Sequence, residues 1–347
     1  MNKIYGYFTV FIIILSFLNF NTKENELKLT RKDVQLVIPK GFPPPLYDFK
    51  KNPITIDGFL LGRKLFYDGI LSRDSSVSCH TCHQRIAAFA HIDHTLSHGI
   101  DAQIGARNVP ALQNLIWRDA FMWDGGINHL EIQAINPITS KIEMDESLEN
   151  VLMKLRRNRE YRKMFKSAFK DTLINSERML KALTQFTGLM ISNNSRYDMF
   201  MRGEDSFTSQ EKNGLKLFRQ KCASCHKEPL FTDNSYRHNG LFIDSNLNDL
   251  GRGKITSQKE DNYKFKVPSL RNVEMTYPYM HNGRFRKLYE VVKHYGNPNA
   301  HSNLVDEEIK KMGRLSDNEK VDLVAFLLTL TDKKFLYDKR FSDPSFR

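Results

Sequence analysis

The pattern C-x-x-C-H occurs twice in this chain, as Cys79-His80-Thr81-Cys82-His83 and as Cys222-Ala223-Ser224-Cys225-His226, and the two copies use all four cysteines. The spacing answers a chemical need. Two thiols three positions apart on a helical turn reach the two vinyl groups of a haem, and the histidine that follows faces the iron as its proximal ligand. The motifs therefore read as attachment sites for two covalently bound c-type haems, with no cysteine left for a disulfide. Two C-x-x-C pairs could also build an all-cysteine zinc cage, but zinc does not require a histidine after each second cysteine. A thioredoxin-like redox pair would need a βαβ context, and one motif would suffice for it.

A length of 347 residues allows about two domains, each able to bury its own core, and 40% hydrophobic with 27% charged residues is an ordinary globular balance. The net charge is +12, but the lysines and arginines are scattered, so no nucleic-acid partner is expected. A solvated basic surface is the plain reading; an acidic redox partner or an anionic membrane surface is the alternative. At the N-terminus Lys3 precedes an apolar run from Tyr5 to Phe20, and charge resumes at Lys23. Residues 1–22 read as a secretory signal, with an uncleaved N-terminal anchor as the alternative because no small-x-small cleavage site closes the run. Residues 23–51, with prolines at 39, 43, 44 and 45, read as a leader, and the folded body is expected to begin near Asn52.

An internal repeat then organises the chain. Leu61-Gly62-Arg63-Lys64-Leu65-Phe66 precedes the first haem motif, and Asn213-Gly214-Leu215-Lys216-Leu217-Phe218 precedes the second. Each reads as a short amphipathic helix feeding a haem loop, the second opened by a cap at Thr208 with Glu211 behind it. Helical periodicity closes each unit, over Arg178–Ile191 and over Asp317–Leu330. The expected fold is mainly α, with two tandem cytochrome c-like domains over 52–197 and 198–335 and a tail over 336–347.

The stretch between the first haem motif and that boundary is too long for a minimal cytochrome. It carries Arg107-Asn108-Val109-Pro110, Phe121-Met122-Trp123-Asp124-Gly125-Gly126, Glu131-Ile132-Gln133-Ala134-Ile135-Asn136-Pro137 and Glu143-Met144. The second half adds Val267-Pro268-Ser269-Leu270-Arg271-Asn272-Val273 and Thr276-Tyr277-Pro278-Tyr279-Met280-His281-Asn282-Gly283. With these motifs the chain resembles the bacterial di-haem cytochrome c peroxidase and MauG family, from about Asn52 to Asp332.

The resemblance implies roles. His83 would be the proximal ligand of the peroxidatic haem and His226 that of the electron-transfer haem. Gln133 and Glu143 match the distal pair, where a carboxylate can take a proton from one peroxide oxygen and return it to the other. Trp123 matches a tryptophan between the haems; its plain alternative is a core aromatic. Asn108, with the carbonyls of Thr276 and Pro278, matches a calcium site. Tyr295 stands where typical peroxidases place a methionine ligand to the second haem, and a tyrosinate there resembles MauG; Met280 and Met312 are other candidates. His98, with His91 and His94 close by, is the candidate distal ligand of the first haem, surface histidines being the alternative.

The function so implied is reduction of hydrogen peroxide to water with electrons from a small periplasmic cytochrome c or cupredoxin. The alternatives are a MauG-like enzyme oxidising residues of a partner protein, and a non-enzymatic electron-transfer cytochrome or haem sensor. The resemblance further implies export to the periplasm and pairing as a homodimer.

Overall fold

The computed structural model describes residues 28–345, so the expected signal or anchor at 1–22 lies outside the described residues. Among the described residues no helix is long and apolar enough to cross a membrane. The chain is mainly helical. The first half contains α1 (Ile56–Tyr67), α2 (Cys79–Cys82), α3 (Ile135–Thr139), α4 (Leu148–Arg157), α5 (Arg159–Phe169) and α6 (Ser176–Thr187). The second contains α7 (Arg196–Met201), α8 (Ser209–Lys221), α9 (Gly253–Thr256), α10 (Leu288–Tyr295), α11 (Glu307–Lys310) and α12 (Asp317–Leu328), followed by α13 (Lys333–Leu336). A two-residue ribbon pairs Tyr236 with Lys266 and Arg237 with Phe265.

The sequence repeat becomes a repeated helix crossing. Thr55 opens α1 by accepting the Gly58 N–H, and Asn175 opens α6 by accepting that of Arg178. In the second half Thr208 and Glu211 form a reciprocal capping box on α8, and Ser316 with Glu319 does the same on α12. Each pair then crosses at its glycine. A Cβ on Gly62 would lie 1.9 Å from the Ala182 carbonyl oxygen, and one on Gly214 would lie 2.0 Å from that of Asp322. Phe186 and Phe326 stand at the same places beside the two glycines. Each crossing anchors its own core: Leu61, Leu65, Phe66 and Phe186 in the first, Leu215, Phe218, Phe326 and Leu327 in the second.

Two segments depart from the expected boundaries. Residues ahead of Asn52 belong to the folded body: Val34 is buried in the first core, the Pro43 carbonyl accepts the Trp117 indole N–H at 2.7 Å, and Leu46 and Tyr47 donate to Ile116. The stretch expected as a tail also returns to the first domain. Phe335, Leu336 and Phe341 complete the first core, and the Tyr67 hydroxyl donates to the Phe341 carbonyl at 2.6 Å. Burying these apolar side chains outweighs the polar composition that made both ends look peripheral.

Polar pairs lie at and beside the junction between the halves. Arg271, completely buried, holds Asp198 with two hydrogen bonds of 2.8 and 2.9 Å. Asp332 accepts the backbone N–H groups of Asn193 and Asn194, each at 2.8 Å. Arg107 reaches from the first half to Asp249 in the second at 2.6 and 2.8 Å while also holding Asp124. Truncating one partner of such a pair would leave an uncompensated buried charge, so the two halves are held in one relative placement.

Two candidate haem sites and the residues between them

The two C-x-x-C-H turns are built alike. In each, the histidine N–H donates to the carbonyl of the first cysteine at 2.9 Å, which brings both thiols onto one turn. In each, the imidazole Nδ1 then meets a phenylalanine carbonyl: His83 that of Phe89 at 2.7 Å, His226 that of Phe231 at 3.0 Å. Nδ1–H donating to a carbonyl fixes the tautomer and leaves the Nε2 lone pair for a metal. Phe89 and Phe231 are fully buried and adopt φ of 60° and 56°. A left-handed conformation is costly for a bulky residue, and the same strain at both sites buys the same carbonyl direction. These two phenylalanines were not singled out from the sequence, although each follows its histidine by five or six residues.

Burial disfavours charge on both histidines and on three of the cysteine thiols. Burial pushes the His83 imidazole down to about 4 and that of His226 downward as well. It pushes the Cys79 thiol up to about 12, Cys82 to about 11 and Cys222 to about 12. Cys79 packs against the first core and Cys222 against the second, so the two pairs cannot share one zinc ion.

Beside the second turn lies a cavity of ≈ 250 Å³ lined by Cys222, Cys225, His226, Trp123, Tyr295 and Met280, among others. Its apolar walls, with the His226 imidazole among them, suit a porphyrin plane. Trp123 enters from the first half, its indole N–H donating to the Asn108 carbonyl at 2.8 Å. Asn108 in turn donates its backbone N–H to His281 at 2.7 Å and its side-chain N–H to Thr95 at 3.0 Å, which leaves its amide oxygen available. Asn108, Thr276 and Pro278, the three expected calcium ligands, all line this cavity. Tyr295 closes α10. Burial and the nearby thiols of Cys222 and Cys225 push its phenol upward, while the Asn239 amide favours the ionised form. Asn239 also donates to the Met280 sulfur at 3.3 Å, and Met312 is on the same wall, so all three candidate axial residues border the cavity.

At the first site the segment His98-Gly99-Ile100 runs against Glu143. The Cys82 thiol donates to the His98 carbonyl at 3.3 Å, Ile100 N–H donates to the Glu143 carbonyl at 2.7 Å, and a Cβ on Gly99 would lie 2.5 Å from the Glu143 Cα. Glu143 therefore stands beside the haem-binding thiol of Cys82, whose deprotonation it opposes. Burial alone pushes the Glu143 carboxyl above its usual range. Gln133, on the other flank of α3, has a buried side-chain oxygen with no hydrogen-bond partner. An unpaired buried carbonyl is costly and suits a site that receives a polar ligand. His98 presents its Nδ1 to the Leu96 carbonyl at 3.1 Å and its ring to that of His94 at 4.1 Å. His91 completes the cluster, 5.2 Å from His94.

Comparison with known proteins agrees with this construction. The family model for the di-haem cytochrome c peroxidase matches residues 57–206 and that for cytochrome c matches 211–331. The methylamine utilization protein MauG of Methylophilus methylotrophus is 36% identical over 299 residues, covering 84% of this chain and 86% of its own length. The cytochrome c551 peroxidase of Nitrosomonas europaea is 31% identical over 284 residues, covering 81% of each chain. The crystal structure of a MauG-like protein associated with microbial copper homeostasis superposes with a TM-score of 0.80 at 32% identity, covering 88% of this chain and 98% of that one. Two haem-binding turns of one design, in a chain matched along most of its length, place this protein in the di-haem cytochrome c peroxidase and MauG family.

Proposed function

We propose that this protein is an exported oxidoreductase that reduces hydrogen peroxide to water at the His83 site and draws the electrons from a protein partner by way of the His226 site. His83 and His226 would hold the two irons through Nε2, and the four cysteines would form the thioethers. The haems, when bound, supply the redox chemistry that cleaves the peroxide bond and carries electrons between the sites. Everything else falls to the protein. Glu143, raised by burial, takes the proton from one peroxide oxygen and returns it to the oxygen that leaves as water. Gln133, with its unpaired buried oxygen, orients the incoming peroxide by accepting its O–H. Trp123 gives electrons an aromatic stepping stone on the wall of the second cavity, and a calcium ion held by Asn108, Thr276 and Pro278 would stiffen that wall.

The observation that carries the MauG-like branch is Tyr295, a phenol buried at the second cavity beside both haem-binding thiols. A phenolate ligand favours oxidised iron, which suits an enzyme that reacts with peroxide in its fully oxidised form and then oxidises residues of another protein. The cytochrome-fed peroxidase is the second reading, favoured by the Met280 and Met312 side chains on the same wall, since a thioether favours reduced iron. A buried acid at 143 would be needless in a simple electron carrier. The test is to add peroxide to the fully oxidised holoprotein and to Tyr295→Phe. Immediate reaction of the parent, with an altered second-haem spectrum and slower reaction in Tyr295→Phe, is expected. Reaction only after one-electron reduction, with a second-haem spectrum indifferent to Tyr295→Phe, would replace this reading with the cytochrome-fed peroxidase.

A further inference from the structure

Arg118, half-buried, lines the second cavity, yet it belongs to the first half of the chain. Its one hydrogen bond runs from Nη2 to the Ala111 carbonyl at 3.1 Å. The acids closest to it in sequence are engaged elsewhere: Asp119 with Lys266 at 2.5 Å, and Asp124 with Arg107 at 2.6 Å. Among the described residues no carboxylate balances it. Burial unopposed by any anion pushes the guanidinium down to about 10. A guanidinium nevertheless remains protonated in proteins, and a buried cation without an anion carries a penalty of several kcal/mol. Lys266, buried on the same cavity and paired with Asp119, is made less basic chiefly by burial and further by the charge of Arg118, which leaves Arg118 as the cation this corner of the cavity does not neutralise.

The cavity's opposite chemistry is settled by Cys222 and Cys225, which fix the vinyl-bearing edge of a c-type haem. The propionates leave a porphyrin from the edge away from the vinyls, as two carboxylates that must be paired or solvated. A planar fork of N–H donors is suited to a carboxylate. We propose that Arg118 is the counter-ion of a propionate of the second haem, supplied across the domain junction by the first half of the chain. The second haem is then held by its own domain through the thioethers and His226 and by the other domain through Arg118. The segment that delivers Arg118 continues directly to Trp123, so the same stretch fixes both the charge at the propionate edge and the aromatic on the cavity wall. The inference rests on the second cavity holding a c-type haem and is independent of whether the electrons come from a small redox protein or from residues of a partner.

The experiment uses the full chain matured with both haems, with Arg118→Gln and Arg118→Lys beside it. Haem content is counted first, and the midpoint potential of each haem is then measured by spectroelectrochemical titration. Loss of a nearby cation disfavours the reduced haem. Arg118→Gln is expected to move the ferric–ferrous equilibrium of the second haem about tenfold toward ferric, which is about 59 mV for one electron, with the first haem unmoved. Arg118→Lys should recover at least half of that shift. Unchanged potentials in Arg118→Gln, equal shifts of both haems, or a lysine variant no better than glutamine would overturn the assignment. If Arg118→Gln does not mature, redox-difference infrared spectra of the parent and Arg118→Lys decide, with haem labelled at the propionate carboxylates. A labelled carboxylate band that moves between them supports the pairing, and identical bands refute it. One haem per chain in the parent would overturn the haem reading of the cavity and this inference together.

Discussion

Replacing Glu143 with glutamine should separate two roles that usually travel together, because the same burial that tunes this carboxyl for catalysis makes it a burden on the fold. Glu143 has no ion pair, and desolvation is the one influence on its acidity. Its folded pKa is therefore raised above the ordinary glutamate value. The protonated form folds without penalty below the unfolded value near 4.5, and stability is lost as pH rises through the raised folded value. Each tenfold change in acidity corresponds to about 1.4 kcal/mol, so at pH 7 the wild-type protein carries a penalty that Glu143→Gln removes. The variant should be the more stable protein at pH 7, and the gap should close below about pH 4.5. Catalysis should move the other way. An amide cannot take and return the peroxide proton, and loss of a positioned acid–base group lowers rates by about 10²–10⁴, or about 3–5 kcal/mol of barrier. The assays are chemical denaturation of the holoprotein at pH 7 and pH 4, and stopped-flow spectra after peroxide addition. A variant destabilised at pH 7 would refute the burial argument, and one that reacts with peroxide within about threefold of wild type would refute the assigned role.

Two further substitutions test how the fold supports the sites. Gly214→Ala adds a methyl group within 2.0 Å of the Asp322 carbonyl, so the α8–α12 crossing must open, at about 1–3 kcal/mol, against a gain in helix propensity of about 1 kcal/mol. A lower denaturation midpoint is expected, and a higher one would show that the helices are not in such close contact. Phe341→Ala empties a site in the aromatic cluster of Phe59, Phe89, Phe186 and Phe335, with an expected loss of about 3–5 kcal/mol. Because Phe89 orients His83, the absorption spectrum of the first haem should also change while that of the second does not; equal response of both haems would argue against this coupling.

Short-range chemistry made much of this protein readable from its sequence. The C-x-x-C-H turns and the capping box at Thr208 are local requirements, met by residues a few positions apart. Their outcome hardly depends on the rest of the chain. Motif order likewise pointed to Gln133, Glu143, Trp123 and Tyr295; in the fold Glu143 stands beside the thiol of Cys82, and Trp123 and Tyr295 line the second cavity. What the sequence left undecided depends on residues far apart in the chain. The leader and the last residues looked peripheral until Val34 and Phe341 were seen to share one core, since burial is decided by the gap a distant element leaves open. The strained carbonyls of Phe89 and Phe231 follow from backbone angles that no residue type announces. Arg118 is ordinary in composition and becomes notable only because folding leaves it with no ion pair among the described residues and sets it on the cavity beside Cys222 and Cys225. Proximity along the chain sets which groups can form a turn, but desolvation and charge balance are properties of the assembled interior, and only the tertiary structure decides them.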